Sequence, residues 1–336
     1  MPLLASDPAR DKQLRRLRDA YPVFRIQAAA ARADGGTVQI TFTFKVGGRT
    51  FHPSVEFSGL HPDEAARVAN PAAQRIVRAL AIVEAASYWK ATVSPVIEIG
   101  IGATDPAEVA WWEKFWIPAM GEFLYRNGID FTAPGFLRIA SLSGLPAGGP
   151  NASGGQVSSA RPLVMFSGGK DSLALTHALK DGPVDFFLYN PTRSQRTLAR
   201  SLADGGQITE VNRSVLPELL AMNDSGEFLN GHTPYSAYLA LAAMLTGYMR
   251  GNDVIVAGNS RSDDEPNVKP FECTGTETEV RSAIVAAAQQ GRGLSALEAC
   301  LRDPAVLSTR TLEAVLKDWG QDDLMPVELR ERVRQA

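Results

Sequence analysis

The short apolar run Leu163 to Phe166 ends in Ser167-Gly168-Gly169-Lys170-Asp171-Ser172, and an apolar-polar stretch with helical spacing follows. Few folds satisfy that order. A strand must stop, the chain must turn on two glycines, and a helix must start with its unpaired amides facing the turn. Such a unit forms a concavity of backbone N–H groups suited to an anion. Ser167 and Ser172 add hydroxyl donors, and Lys170 adds a full positive charge. Asp171 is unwelcome beside a phosphate unless it holds Mg²⁺ or orients a neighbour, so its presence points to a metal-bound nucleotide. The loop is not a Walker A motif, which ends in Gly-Lys-Ser/Thr after a longer run.

The stretches around the loop alternate between strand and helix. A helix is predicted from Ser172 to Lys180, a buried strand from Val184 to Tyr189 and a weaker one from Ile208 to Val211. A long apolar helix, Thr233 to Met249, then leads to a strand from Asp253 to Ala257. That alternation implies a parallel sheet covered on both faces. Upstream, Val38, Ile40, Phe42 and Phe44 fall on one face of a strand, and Gly47-Gly48 turns the chain into an antiparallel unit continuing through Pro53 to Phe57. A helix is predicted over Gln74 to Trp89, a strand over Val93 to Ile101 and a further helix from Pro106, whose Trp111, Trp112 and Trp116 read as core. Ser141 to Ala160 is rich in Gly, Ser, Pro and Ala and reads as a linker or lid. From Glu277 onward the apolar spacing is helical.

The expected architecture is α/β. A smaller N-terminal α+β domain (1–140) recognises substrate, a linker or lid follows (141–160), and a parallel-sheet nucleotide-binding domain (161–270) carries the loop. A helical C-terminal appendage (271–336) completes it. The net charge of -3 gives no general attraction to nucleic acid or anionic membranes. Two cysteines form no disulfide framework, and no Cys/His spacing matches a zinc site. With no apolar run near the length of a membrane span, the expected location is the cytoplasm.

The loop resembles the PP-loop of the ATP pyrophosphatase superfamily, which includes tRNA-thiolating enzymes, NAD and GMP synthetases and asparagine synthetase. Three further stretches resemble one branch, the MurL-type epimerases of a UDP-muramoyl dipeptide: Glu84-Ala85-Ala86-Ser87-Tyr88-Trp89-Lys90, Gly121-Glu122-Phe123-Leu124-Tyr125-Arg126-Asn127-Gly128-Ile129-Asp130, and Asn230-Gly231-His232-Thr233-Pro234 with Gly258-Asn259-Ser260-Arg261-Ser262 after the apolar helix. The resemblance stops after Asn267, and Ser260 stands where the family has an acidic residue.

The resemblance implies an enzyme that uses ATP and Mg²⁺ to adenylate the carboxylate of a terminal L-glutamate, inverts its α carbon and hydrolyses the adenylate. A proton beside a free carboxylate is hard to remove; the acyl-adenylate loses that charge and becomes an electron sink, so a base and an acid can exchange the proton across the two faces. Ser167, Gly168, Gly169, Lys170, Asp171, Ser172, Asn259 and Arg261 are then expected at the nucleotide, with Asp171 on the metal. Lys90, Glu122 and His232 are expected in proton transfer or carboxylate recognition, with Tyr88 a further candidate. Bland readings stand beside these. Tyr88 and Trp89 suit core packing, Glu122 and Arg126 suit a surface ion pair, and His232 suits a helix cap as well as a pocket wall. Competing functions that share the loop are a ligase or amidotransferase, a natural-product peptide epimerase, a tRNA-modifying enzyme and a nucleotide sensor.

Overall fold

The computed structural model describes residues 8–102, 106–142, 161–179 and 182–258. Asn259, Arg261, most of the predicted linker and the predicted C-terminal appendage lie outside them. The strands are β1 (Val23–Asp34), β2 (Thr37–Val46), β3 (Arg49–Phe51), β4 (Ser54–Ser58), β5 (Val96–Ile99), β6 (Arg138–Ser141), β7 (Pro162–Met165), β8 (Asp185–Tyr189), β9 (Ile208–Ser214) and β10 (Val254–Val256). The α-helices are α1 (Pro8–Ala20), α2 (Pro62–Ala66), α3 (Pro71–Trp89), α4 (Pro106–Ala119), α5 (Gly121–Arg126), α6 (Lys170–Ala178), α7 (Arg193–Leu202), α8 (Pro217–Asp224) and α9 (Tyr235–Arg250).

All ten strands join one sheet in the order β10-β7-β8-β9-β4-β2-β1-β5-β6, with β3 paired to β2. The groups β10-β7-β8-β9 and β1-β5-β6 are parallel, and antiparallel neighbours β9-β4, β4-β2 and β2-β1 link them. The fold is mixed α/β. Strands from both halves of the sequence share the sheet because β4 pairs with β9, setting Val55 opposite Arg213.

Alternation along the strands explains the two faces. Val164, Phe166, Phe186, Leu188 and Val256 pack with α6 and α7 on one side. Leu163, Phe187, Val211 and Ile255 pack with α3 and α9 on the other. A strand buried on both faces needs apolar residues at successive positions, as in the Phe186-Phe187-Leu188 run of β8. In β2 the predicted period of two holds, with Val38, Ile40, Phe42 and Phe44 all buried and Gln39 and Lys45 exposed. Each such side chain contributes roughly 1.5–3 kcal/mol by leaving water.

Helix α3 starts where the Asn70 side chain accepts from the Ala72 amide (3.0 Å), with Pro71 as its first residue. Its second half is buried. Tyr88 packs its ring 5.3 Å from Phe44 and 5.2 Å from Phe51, and Trp89 meets Trp116 edge-on at 5.8 Å. Both residues are therefore core, as are Trp112 and Trp116.

Several element bounds differ from the sequence reading, three of them with a clear physical cause. The strand predicted over Val93 to Ile101 is only Val96–Ile99, because α3 is followed by a tight turn in which the Val93 amide bonds to the Trp89 carbonyl (2.9 Å). Strand β9 runs on to Ser214, beyond the predicted end at Val211; pairing with β4 supplies partners that its polar composition gave no reason to expect. Helix α9 begins at Tyr235 and runs to Arg250, capped by Gly251, whose φ of 83° suits a residue without a side chain.

Arg250 staples the end of α9 to the start of β9 and to the segment before α2. Its guanidinium donates to Thr209 Oγ1 (2.6 Å), the Gln207 side chain and the carbonyls of Gly59 and Ile208, and it pairs with Glu64 (3.3 Å). Arg250→Met is expected to strand several of these groups and cost on the order of 3 kcal/mol. Urea unfolding checks this; a midpoint equal to that of the parent chain would contradict the staple.

Candidate functional site

The parallel group reverses its order between β10 and β7. The chain steps from β7 to β8 to β9, then crosses through α8 and α9 to place β10 on the far side of β7. In open α/β sheets such a switch point opens a crevice outside the carboxyl ends of the strands. Residues Ser167 to Gly169 emerge there from β7, and Lys170 opens α6. Gly168 sits at φ 73°, a conformation that a side chain disfavours. The Gly169 amide donates to Ser167 Oγ (3.3 Å), and Ser172 Oγ lies 3.3 Å from Ser167 Oγ and donates to the Gly169 carbonyl (3.0 Å). Gln195 of α7 holds the loop from outside by donating to the Ser167 carbonyl (2.6 Å).

The loop therefore has the backbone of an anion cradle: a left-handed glycine, hydroxyls turned onto the turn, and a helix N-terminus. Asp171 lies in the first turn of α6 against the end of β10; a Cβ added to Gly258 would fall 2.8 Å from that of Asp171. Among the described residues, no three His, Cys, Asp or Glu side chains gather to hold a metal ion. Asp171 thus fits a cation only where phosphate oxygens and water supply the other ligands.

The same strand edge carries a second polar cluster. Sheet register sets Tyr189 of β8 opposite Val211, so Arg213 projects two residues further along β9. Its Nε and Nη2 both donate to Glu84 Oε1 (3.0 and 2.9 Å), and Nη2 also donates to Ser87 Oγ (2.8 Å). The guanidinium lies 5.2 Å over the Tyr238 ring, and Tyr189 meets Tyr235 and Tyr238 at 5.5 and 5.9 Å. Burial pushes the Glu84 carboxyl up, and Arg213 opposes that shift. Burial also pulls Arg213 down, but Glu84 more than offsets it and holds the guanidinium above its ordinary value.

Lys90, Glu122 and His232 meet around the loop between α8 and α9. Lys90 Nζ donates to Asn230 Oδ1 (2.7 Å) and the Gly231 carbonyl (2.9 Å). Asn127 steadies the same loop by donating to the Asn230 carbonyl (3.1 Å). His232 Nδ1 stands 3.5 Å from Glu122 Oε2, while Glu122 Oε1 takes the predicted ion pair with Arg126 at 2.7 Å. The capping role considered for His232 is not realised, since the residue capping α9 is Pro234 and makes no side-chain cap bond. Burial, and then the Arg213 charge, push the Lys90 ammonium down to about 8.

Sequence reading had singled out the Lys90, Glu122 and His232 stretches separately; the fold brings them to one loop. Arg213 was missed. It ends a strand whose apolar pattern is weak, and its partner Glu84 lies 129 residues earlier. The one available signal was Glu84 itself, an acidic residue inside the apolar stretch of α3.

A family model described as the MurL N-terminal domain matches residues 15–277. Over 191 residues the chain is 32% identical to a UDP-N-acetyl-alpha-D-muramoyl-L-alanyl-L-glutamate epimerase of Xanthomonas oryzae pv. oryzae, a match covering 57% of this chain and 41% of that protein. Proteins of the same name from Salinispora tropica and a Micromonospora species are each 28% identical, over 194 and 197 residues; the matches cover 58% of this chain and 41% and 42% of theirs. The chain thus spans about two fifths of the length of the curated relatives it matches. No solved structure matches it.

Proposed function

Since the chain belongs to the MurL N-terminal domain family, we propose that it epimerises the terminal glutamate of a UDP-muramoyl dipeptide by way of an acyl-adenylate. The observation that carries this reading is the shared strand edge: the Ser167–Ser172 cradle and the Arg213 cluster lie at the carboxyl ends of neighbouring parallel strands, β7 to β9. Gly231, which accepts from Lys90, and Tyr235, which packs on Tyr189, lie four residues apart, so the second cluster adjoins the Lys90 loop.

In this reading Ser167, Gly168, Gly169 and Ser172, with the first amides of α6, bind ATP phosphates, and Lys170 neutralises them. Asn259 and Arg261, following β10, complete the nucleotide contacts. Asp171 would hold Mg²⁺, which would supply charge neutralisation at the phosphate oxygens. The substrate α-carboxylate attacks the α phosphorus, the bond to pyrophosphate breaks, and a mixed anhydride forms. One group then takes the Cα proton and another returns one on the opposite face; water cleaves the anhydride and AMP leaves. Lys90 suits the base, because burial leaves its amine largely neutral above about pH 8. Glu122 orients the His232 imidazole, which serves as the opposing acid.

Incubation of the chain with UDP-MurNAc-L-Ala-L-Glu, ATP and Mg²⁺ in D₂O tests this reading. ATP-dependent deuterium at the glutamate Cα together with AMP is the expected result. An amine-dependent amide product would point to a ligase instead, and ATP binding with neither product would remove the epimerase assignment.

Lys90→Gln is expected to lower deuterium uptake by about 10²–10⁴-fold while AMP release persists. Exchange by the unsubstituted chain should rise as pH increases towards about 8, because the competent form of Lys90 is the deprotonated one. A rate that falls across that range, or exchange surviving in Lys90→Gln, would remove Lys90 from the proton path.

A further inference from the structure

Two cations, Arg213 and Lys90, stand at one end of the sheet, where Arg213 pairs with the buried carboxylate Glu84. Glu84 fixes one edge of the guanidinium through Nε and Nη2, and Ser87 takes a further bond from Nη2. Those bonds leave Nη1 outside them. The Tyr238 ring covers the guanidinium face. An arginine held this way has lost its rotamer freedom in advance and presents a pre-aimed donor.

Around it lie hydroxyls closed to solvent. Tyr88, Tyr189 and Tyr238 each bury the phenolic oxygen without a well-formed hydrogen bond; that of Tyr88 faces the Leu216 backbone and that of Tyr189 faces Arg213. Tyr238 is 3% exposed and Tyr88 1%. Burying a hydroxyl without a partner costs about 1–3 kcal/mol, so the Tyr238 hydroxyl, beside the Arg213 guanidinium, marks a place where a polar ligand atom completes the bonding. Burial, and then the Arg213 charge, lower the Lys90 ammonium.

We propose that Arg213, held by Glu84 and flanked by Tyr189 and Tyr238, binds the side-chain carboxylate of the substrate's terminal residue and so selects an acidic residue there. This inference rests on the function proposed above. The chemistry requires two differently treated carboxylates on one glutamate: the α group must be free to attack phosphorus, and the γ group must be held away from it. A cation at the end of β9, on the strand edge that carries the Ser167 loop, separates the two.

The test compares UDP-MurNAc-L-Ala-L-Glu with UDP-MurNAc-L-Ala-L-Gln, which differ only in the γ group. Calorimetric binding and ATP-dependent deuterium exchange are measured for the unsubstituted chain, for Tyr238→Phe and for the charge-neutral double variant Glu84→Gln/Arg213→Gln. The double variant removes both ions together and so avoids stranding one. The unsubstituted chain is expected to prefer the glutamate peptide by on the order of 100-fold or more, because a site built for a carboxylate rejects its amide. That ratio should fall to within about 10-fold in the double variant and drop measurably in Tyr238→Phe, with melting temperature held or raised in the latter. An unchanged ratio alongside reduced stability would make the Arg213 pair a structural staple only and overturn the proposal. Failure of the unsubstituted chain to prefer glutamate would overturn it as well. Binding preference without Cα exchange would keep the carboxylate site and remove the epimerase reading, so the two failures are distinct.

Discussion

Lys170→Ala is expected to lower AMP release by at least 10²–10³-fold while the chain keeps its melting temperature. The residue opens α6, where the helix dipole and the unpaired amides already favour an anion. In the proposed reaction a full charge at that point acts on the phosphate oxygens whose charge changes as pyrophosphate leaves, and loss of one such group in a water-poor site typically costs that factor. Little is lost from the fold, because lysine at the first position of a helix is not what holds it; the apolar face of Ala174, Leu175 and Ala178 is. Radiometric AMP formation and a thermal melt on the same sample decide the matter. AMP release within tenfold of the unsubstituted chain would mean that the loop does not bind the triphosphate.

Arg213→Ala is expected to destabilise the chain by roughly 3–5 kcal/mol, the largest effect on stability of any single substitution at the site. The cause is the group left behind. Glu84 is 1% exposed, so removal of its partner strands a carboxylate among Tyr88, Tyr189 and Tyr238. Its folded-state pKa, already above the ordinary 4.5 through burial, must then rise further. A carboxyl with a raised folded pKa holds its proton more tightly in the folded state, so stability is lost as pH rises from about 4.5 through that raised value. The deficit against the unsubstituted chain should therefore grow from acid to neutral pH and shrink on acidification. Denaturant melts at pH 4.5 and 7 measure it. A deficit independent of pH would show that lost packing on Tyr238, rather than the stranded charge, is responsible. Adding Glu84→Gln to Arg213→Ala should recover much of the loss, since no charge then remains to be buried.

Part of the site was readable in the chain because its determinants are neighbours in sequence. The strand, two glycines, a lysine and a capped helix lie within a dozen residues, and each has one conformational use. The period of two in β2 and the apolar stretch of α3 were readable for the same reason: a face is a property of spacing. The stretches holding Lys90, Glu122 and His232 came from resemblance, and spacing alone did not bring them together. Their meeting depends on Asn230 accepting from Lys90 across 140 residues.

Arg213 was beyond reach for a different reason. Its strand alternates Thr209, Glu210, Val211, Asn212 and Arg213, a pattern too polar to announce burial, and only the pairing with β4 and the cover of α3 and α9 make that position nearly closed. Equally, nothing local tells that the strands around Val38 to Phe57 extend the sheet that carries the loop.

Sequence by itself determined the glycine turn between strand and helix, the parallel rhythm around it and the apolar faces that cover it, because turn chemistry and side-chain period act over a few residues. Tertiary structure alone decided the joining of the antiparallel strands to β9, the burial of Glu84 against Arg213, and the shared edge where both clusters stand. Those contacts span more than a hundred residues, and strand order, set by which surfaces bury together most completely, selects them.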